Sequence, residues 1–162
     1  MKRRVPPRSN FETAVKAMED EIRQAERAIY SPIVLREAEN PSNIGRIAGA
    51  DAYAAHNGPC GDRMEIYLVV RGGKIKKISY TTTGCGASIA TGSMLTKMAA
   101  GRTTEDAKRI KTEELMDALG GLPEEHAHCA QLAVTTLKLA IAELDTAKLD
   151  TAQPHTTRKS RI

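Results

Sequence analysis

Two runs of alternating apolar residues meet at Gly72–Gly73, and no other part of the chain narrows its fold as much. Met64, Ile66, Leu68 and Val70 alternate with polar or mixed residues, and Ile78, Tyr80 and Thr82 do the same after the glycines. Period-two alternation around a Gly-Gly pair predicts an antiparallel hairpin with one buried face. A two-residue loop would set Leu68 against Lys77 and mismatch the apolar faces. A three-residue loop, Gly72–Gly73–Lys74, sets Leu68 against Ile78, Ile66 against Tyr80 and Met64 against Thr82, and this register is the expected one. Extended outward, it brings Cys60 level with Gly86 and Cys85 level with Gly61. Both thiols then stand at the open end of one hairpin, whose strands lie about 5 Å apart.

Helical patterns surround this hairpin. Residues 11–30 carry good helix formers and apolar positions at three- and four-residue spacing, including Ala14, Ala17, Met18, Ile22, Ala25 and Ile29. Ser31–Pro32 reads as a cap followed by a first-turn proline, opening a short helix to about residue 37. Residues 38–62 are rich in Gly, Pro and Asn, with one strand expected near Ile47–Ala54. After Cys85, a helix of small residues over 87–100 ends at Gly101. Thr104–Glu105 and Thr112–Glu113 open two short helical segments, and Gly120–Gly121 closes the second. Pro123 begins a last helix, expected to run to about Lys148 with Cys129, Leu132, Ala133, Leu137, Ala140, Ile141 and Leu144 on its apolar face.

The chain has three cysteines, all far apart. Cys60 lies in Cys60-Gly61-Asp62, Cys85 in Gly84-Cys85-Gly86, and Cys129 follows His128. A free cysteine is by default a small buried hydrophobe. Cys60 and Cys85 instead sit in Gly-flanked turns at one hairpin end, where there is no packing face. Cys129 falls in the first turn of a helix, where the dipole favours the thiolate. No Cys-x-x-Cys occurs, which argues against zinc ribbons, ferredoxin-type clusters and dithiol redox motifs. A Cys–His hydrolase is disfavoured as well, because neighbours on a helix point about 100° apart. Closed structural metal sites use four good ligands. Three thiols with a spare Asp62 and His128 therefore suggest an open or exchangeable site. His56, His126 and His155 read as exposed.

The charge of +4 is misleading until located. Lys2, Arg3, Arg4 and Arg8 at the start and Arg158, Lys159 and Arg161 at the end carry seven positive charges, which leaves residues 11–153 at −3. With only five aromatic residues, a base-stacking platform is not expected, and no nucleic-acid partner is. No run of 18 apolar residues occurs and no hydrophobic stretch follows the basic start, so neither a membrane span nor a secretory signal is expected. The odd, unpaired cysteine count fits a cytoplasmic location.

Four segments resemble a known family: Glu39-Asn40-Pro41-Ser42-Asn43-Ile44-Gly45, Cys60-Gly61-Asp62, Thr83-Gly84-Cys85-Gly86-Ala87-Ser88-Ile89-Ala90, and His128-Cys129. In this order and spacing, from about Tyr30 to Ala147, they are similar to the IscU/NifU-type iron–sulfur cluster assembly scaffolds. The resemblance implies an α+β fold, a three-stranded antiparallel sheet with helices packed on one face, here with an extra N-terminal helix. It divides the chain into a basic arm and helix (1–29), a scaffold domain (30–148) and a flexible basic tail (149–162).

The resemblance also implies a function without turnover chemistry of its own, so the chain is not expected to be an enzyme. Such scaffolds accept persulfide sulfur from a PLP-dependent cysteine desulfurase, receive iron and electrons from donors, assemble a transient [2Fe–2S] cluster and pass it to acceptor apo-proteins. By motif, Cys60, Cys85 and Cys129 would be the cluster ligands, with iron or, in the apo form, zinc. Asp62 or His128 would be the exchangeable fourth ligand, and Cys129 the persulfide acceptor. The alternative is a zinc-bound sulfur acceptor that stimulates a desulfurase, although no long insertion separates Cys85 from Cys129. The family's Leu-Pro-Pro-Val-Lys segment, recognised by an Hsp70-type chaperone, reads Leu122-Pro123-Glu124-Glu125-His126, and its acidic character argues against that partner. The N-terminal helix is expected to cover the sheet, to self-associate into a homo-oligomer, or to dock a partner.

Overall fold

The computed structural model describes residues 10–152. The order of elements is α1 (Asn10–Ile29), α2 (Pro32–Glu39), β1 (Ala52–Asn57), β2 (Arg63–Arg71), β3 (Lys74–Thr82), α3 (Gly86–Ala99), α4 (Thr104–Lys108), α5 (Thr112–Ala118) and α6 (Ala127–Ala152). The three strands form one antiparallel sheet in the order β1-β2-β3. Met64, Ile66, Leu68, Ile78 and Tyr80 all point to one face, against Leu95 of α3 and Ala133, Leu137 and Ile141 of α6, every one of them buried. This is the expected α+β arrangement. Among the described residues no helix is long and apolar enough to cross a membrane.

The hairpin satisfies two conflicting demands. Met64 pairs with Thr82, Ile66 with Tyr80 and Leu68 with Ile78, the expected register. The expected three-residue loop is nevertheless wrong. Gly72 and Gly73 alone make the turn, both with positive φ (59° and 73°), and Arg71 pairs directly with Lys74. That turn type matches the strand twist and requires left-handed backbone at both central positions. A β-bulge between Val69 and Val70 absorbs the difference, leaving exposed Lys76 as the extra residue on β3. Tight turn and matched apolar faces are thus both kept.

Other boundaries shift for local reasons. β1 begins at Ala52, five residues later than expected, because a turn at Ala48–Gly49 interrupts the extended run. Asp51 then accepts bonds from Val70 N–H and Arg71 (both 2.7 Å), fixing where β1 starts. Pro123 leads into a single 3₁₀ turn over Glu124–His126, and α6 itself starts only at Ala127. It runs to Ala152, four residues into the segment expected as tail. The basic residues of both ends, and His155, lie outside the described residues.

Ser31 caps α2 as expected, its hydroxyl accepting from Val34 N–H at 3.1 Å. Inside α2, Glu37 is 1% exposed and binds Ser93 Oγ (2.7 Å) and Lys97 Nζ (2.6 Å) of α3. Burial alone would raise its pKa, but these two donors hold the carboxyl below its usual range. By contrast α1 buries none of its residues. Phe11, Met18, Ile22 and Ile29 are all more than half exposed, so α1 does not cover the sheet.

On the outer face of the sheet, Glu65 accepts from Tyr67 Oη (2.6 Å), Arg63 Nε (3.0 Å) and Thr81 Oγ (3.1 Å). The Tyr67 bond leads, and together with Arg63, Thr81 and the nearby Arg46 it outweighs burial and holds the carboxyl at about 2. Because the folded-state value is depressed, the stability Glu65 contributes is fully present above the ordinary carboxylate value of about 4.3. It is lost as pH falls from there towards about 2. Glu65→Gln should therefore flatten the acid limb of a urea-unfolding series across that window. An unchanged slope would remove Glu65 from the account.

Candidate functional site

The site is built at the end of the sheet away from the Gly72–Gly73 turn. The β2–β3 ladder stops at Met64–Thr82, where Thr82 Oγ donates to Arg63 C=O (2.9 Å) and accepts from Gly84 N–H (3.1 Å). This clasp delivers the chain into α3 with Cys85 as the residue capping its N-terminus. Cys60 lies in the β1–β2 turn, closed by Gly58 N–H to Asp62 C=O (2.7 Å). Both thiols are exposed and at the expected end of the hairpin. The extrapolated pairing does not hold, however: the strands diverge before Gly61 and Gly86, one into a turn and the other into a helix.

Cys129, at the start of α6, is fully buried. Its Sγ, the Sγ of Cys85 and a ring nitrogen of His126 all lie within 4.8 Å of one another. This is the group among the described residues with metal-binding geometry, and it includes a histidine expected to be exposed. The His126 side chain is 25% exposed, and its Nδ1 is enclosed without a hydrogen-bond partner. An orphaned buried nitrogen costs about 1–3 kcal/mol, a cost that a ligand at Nδ1 would offset. The ring lies 5.5 Å from that of Tyr30 and 6.3 Å from that of His128. His56 is half-buried rather than exposed.

The other expected ligands stand around this group. His128 Nε2 is 3.5 Å from Cys129 Sγ, so the angular argument that kept these neighbours apart fails at the first turn of α6. While Cys129 stays buried, its thiol form is favoured over the thiolate. Burial pushes the Cys129 thiol up to about 11, Ser88 counteracts this only in part, and the charges of Cys85 and Cys60 add to the rise. Desolvation thus overrides the helix dipole that was expected to favour the thiolate. Cys60 lies outside the tight group yet close enough for its charge to be felt there. Asp62 is turned towards α3, its Oδ2 accepting from Ser88 Oγ at 2.9 Å.

Gly84 leaves room for that contact. A Cβ there would run into the Ser88 side chain and come within 2.5 Å of Asp62 Oδ2. A groove beside Cys85 is walled by Tyr30, Val34, Leu35 and Ala38 of the α2 region. Burial, followed by the nearby Cys85 and Cys129, raises the pKa of Tyr30.

Sequence reasoning missed Tyr30, Ser88 and His126 as site residues. Of these His126 alone carried even a weak signal, a second imidazole three residues before Cys129, and the 3₁₀ turn leading into α6 is what brings it to the thiols. Thiolate sulfur and imidazole nitrogen are the donors that zinc and iron–sulfur iron take, so the residues fit such a cargo.

A family model described as the NifU-like N terminal domain matches residues 29–150. The chain belongs to that family. An iron-sulfur cluster assembly scaffold protein IscU of Archaeoglobus fulgidus is 43% identical over 116 residues, 71% of this chain and 76% of that protein. A scaffold protein of the same name from Aquifex aeolicus is 34% identical over 117 residues, 70% of this chain and 74% of that one. The crystal structure of a nitrogen-fixing NifU-like protein (N-terminal) from Brucella abortus superposes with a TM-score of 0.58, covering 73% of this chain and 95% of that one. At 21% identity that likeness speaks for the fold. Resemblance and family model agree.

Proposed function

We propose that this chain is a scaffold on which an iron–sulfur cluster is assembled and from which it is handed to acceptor proteins. The observation that carries the reading is the gathering of Cys85, His126 and Cys129 at a solvent-open end of the sheet, with Cys60 and Asp62 on the adjoining turn. The names of the relatives support it. In this reading residues 30–148 form the working unit, and Cys60, Cys85 and Cys129 ligate the cluster, with Asp62 or His128 as the exchangeable fourth ligand. A cysteine desulfurase supplies the sulfur: the Cys129 thiolate takes the terminal persulfide sulfur and the desulfurase thiolate leaves. Because Cys129 is buried, delivery requires it to be uncovered first. Asp62 suits a ligand that must leave, being hard oxygen on soft iron with the Ser88 hydroxyl to return to.

The test is anaerobic incubation with ferrous iron, a cysteine desulfurase and cysteine. Visible sulfur-to-iron charge-transfer bands and acid-labile sulfide are expected. A folded wild-type protein without them overturns the reading, and one zinc per chain that iron cannot displace would make the chain a zinc-bound sulfur acceptor instead. Asp62→Ala is expected to lengthen the lifetime of the reconstituted cluster several-fold. Decay at the wild-type rate would remove Asp62 as the labile ligand.

A further inference from the structure

We infer that the first metal ion to enter this site is held by Cys85 Sγ, His126 Nδ1 and Cys129 Sγ, without Cys60. The inference rests on the reading that this end of the molecule handles metal, and it adds a ligand and an order of events. Ligands of one tetrahedral zinc-like ion stand about 3.5–4 Å apart, given metal–sulfur and metal–nitrogen bonds of about 2.3 and 2.0 Å. The two thiols and a ring nitrogen of His126 already lie within 4.8 Å of one another, so small shifts reach that geometry, and the unpartnered nitrogen is Nδ1. Cys60 and Asp62 do not belong to the compact group, and Asp62 is engaged by Ser88.

His126 is built for the role from both sides. Nδ1 is enclosed and has no partner, whereas Nε2 faces the Glu125 carboxylate at 3.9 Å. A ligating histidine ordinarily gives its second N–H to a carboxylate, which fixes the tautomer and strengthens the metal bond. Glu125 stands where a modest closure supplies that partner. His128 serves Cys129 at 3.5 Å through its own Nε2 and stands outside the three-donor group. The fourth coordination position is thereby left free, and Cys60 remains uncommitted for the second iron of a cluster.

Cobalt(II) reports such a site directly. The reduced full-length protein, titrated anaerobically, should bind one cobalt with tetrahedral d–d bands and thiolate-to-cobalt charge transfer. Affinity, measured against a chelator, should fall at least about tenfold in His126→Gln and in Cys85→Ser, and several-fold in Glu125→Gln. Cys60→Ser should stay within about twofold of wild type. X-ray absorption at the cobalt edge of the wild type should give two sulfur and two lighter scatterers, a readout independent of any variant's folding. Three sulfurs, or a Cys60→Ser protein that loses cobalt as severely as Cys85→Ser, overturns the assignment. A wild type that builds a cluster but shows three-sulfur cobalt defeats this inference and leaves the scaffold reading standing. Two-sulfur cobalt in a protein that never forms a cluster does the reverse.

Discussion

Gly92→Ala is expected to lower the unfolding midpoint by about 4–8 °C, against the direction that helix propensity alone gives. Gly92 lies inside α3, where alanine is intrinsically better by about 1 kcal/mol. A Cβ at this position would overlap the Tyr80 ring, coming within 2.9 Å of Cζ and closer still to two other ring atoms. Tyr80 has no room to retreat. It is fully buried on β3, and its hydroxyl donates to Ile89 C=O at 2.8 Å. Overpacking of this kind costs about 1–3 kcal/mol and sometimes more. Contacts this short belong at the upper end of that range, so after the propensity gain a net loss of about 2 kcal/mol remains, which for a chain of this size converts to about 4–8 °C. Combining it with Tyr80→Leu, which removes the ring's outer atoms, should cost less than the sum of the two single changes. A single variant with a raised midpoint, or strictly additive costs, would show that α3 and β3 do not meet at this point.

That contact also marks where sequence reasoning stops. The hairpin was readable because alternation and a Gly-Gly turn are local signals, and the apolar pairing of Leu68 with Ile78 follows from them. The bulge at Lys76 was not, because it resolves a conflict between turn geometry and face matching that either signal alone would settle differently. Glu37 looked like an ordinary surface residue of a short helix. Its burial depends on Ser93 and Lys97, more than fifty positions away. At the site, Cys60 and Cys85 stood out by residue type and Gly-flanked context, and Cys129 by residue type and its place beside His128 at a helix start. His126 and Ser88 did not, since their importance comes from where α3 and the start of α6 meet. The raised pKa of Cys129 is a burial effect, and burial is the quantity that a helix-terminus argument from sequence leaves out.

Cys85→Ser is expected to move stability and function in opposite directions. Cys85 occupies the N-cap of α3 with extended backbone (φ −73°, ψ −177°), yet its side chain makes no capping hydrogen bond. Serine is among the preferred residues for this position because its oxygen accepts from the free N–H groups of the first turn. The substitution should therefore stabilise α3 by about 0.5–1 kcal/mol, raising the midpoint by about 2 °C. The thiol is exposed, so no packing is lost to offset that gain. Cluster yield should nevertheless fall at least about tenfold, since even partners one shell outside a metal matter on that scale. A hydroxyl does not replace a thiolate towards soft iron. The comparison separates two explanations of why a cysteine stands at a cap. If Cys85 were there for the helix, serine would be neutral or better in every assay. A stabilised protein that no longer holds a cluster means that the cap was given up for the ligand. A Cys85→Ser protein with wild-type cluster yield would sink the assignment of Cys85 to the site.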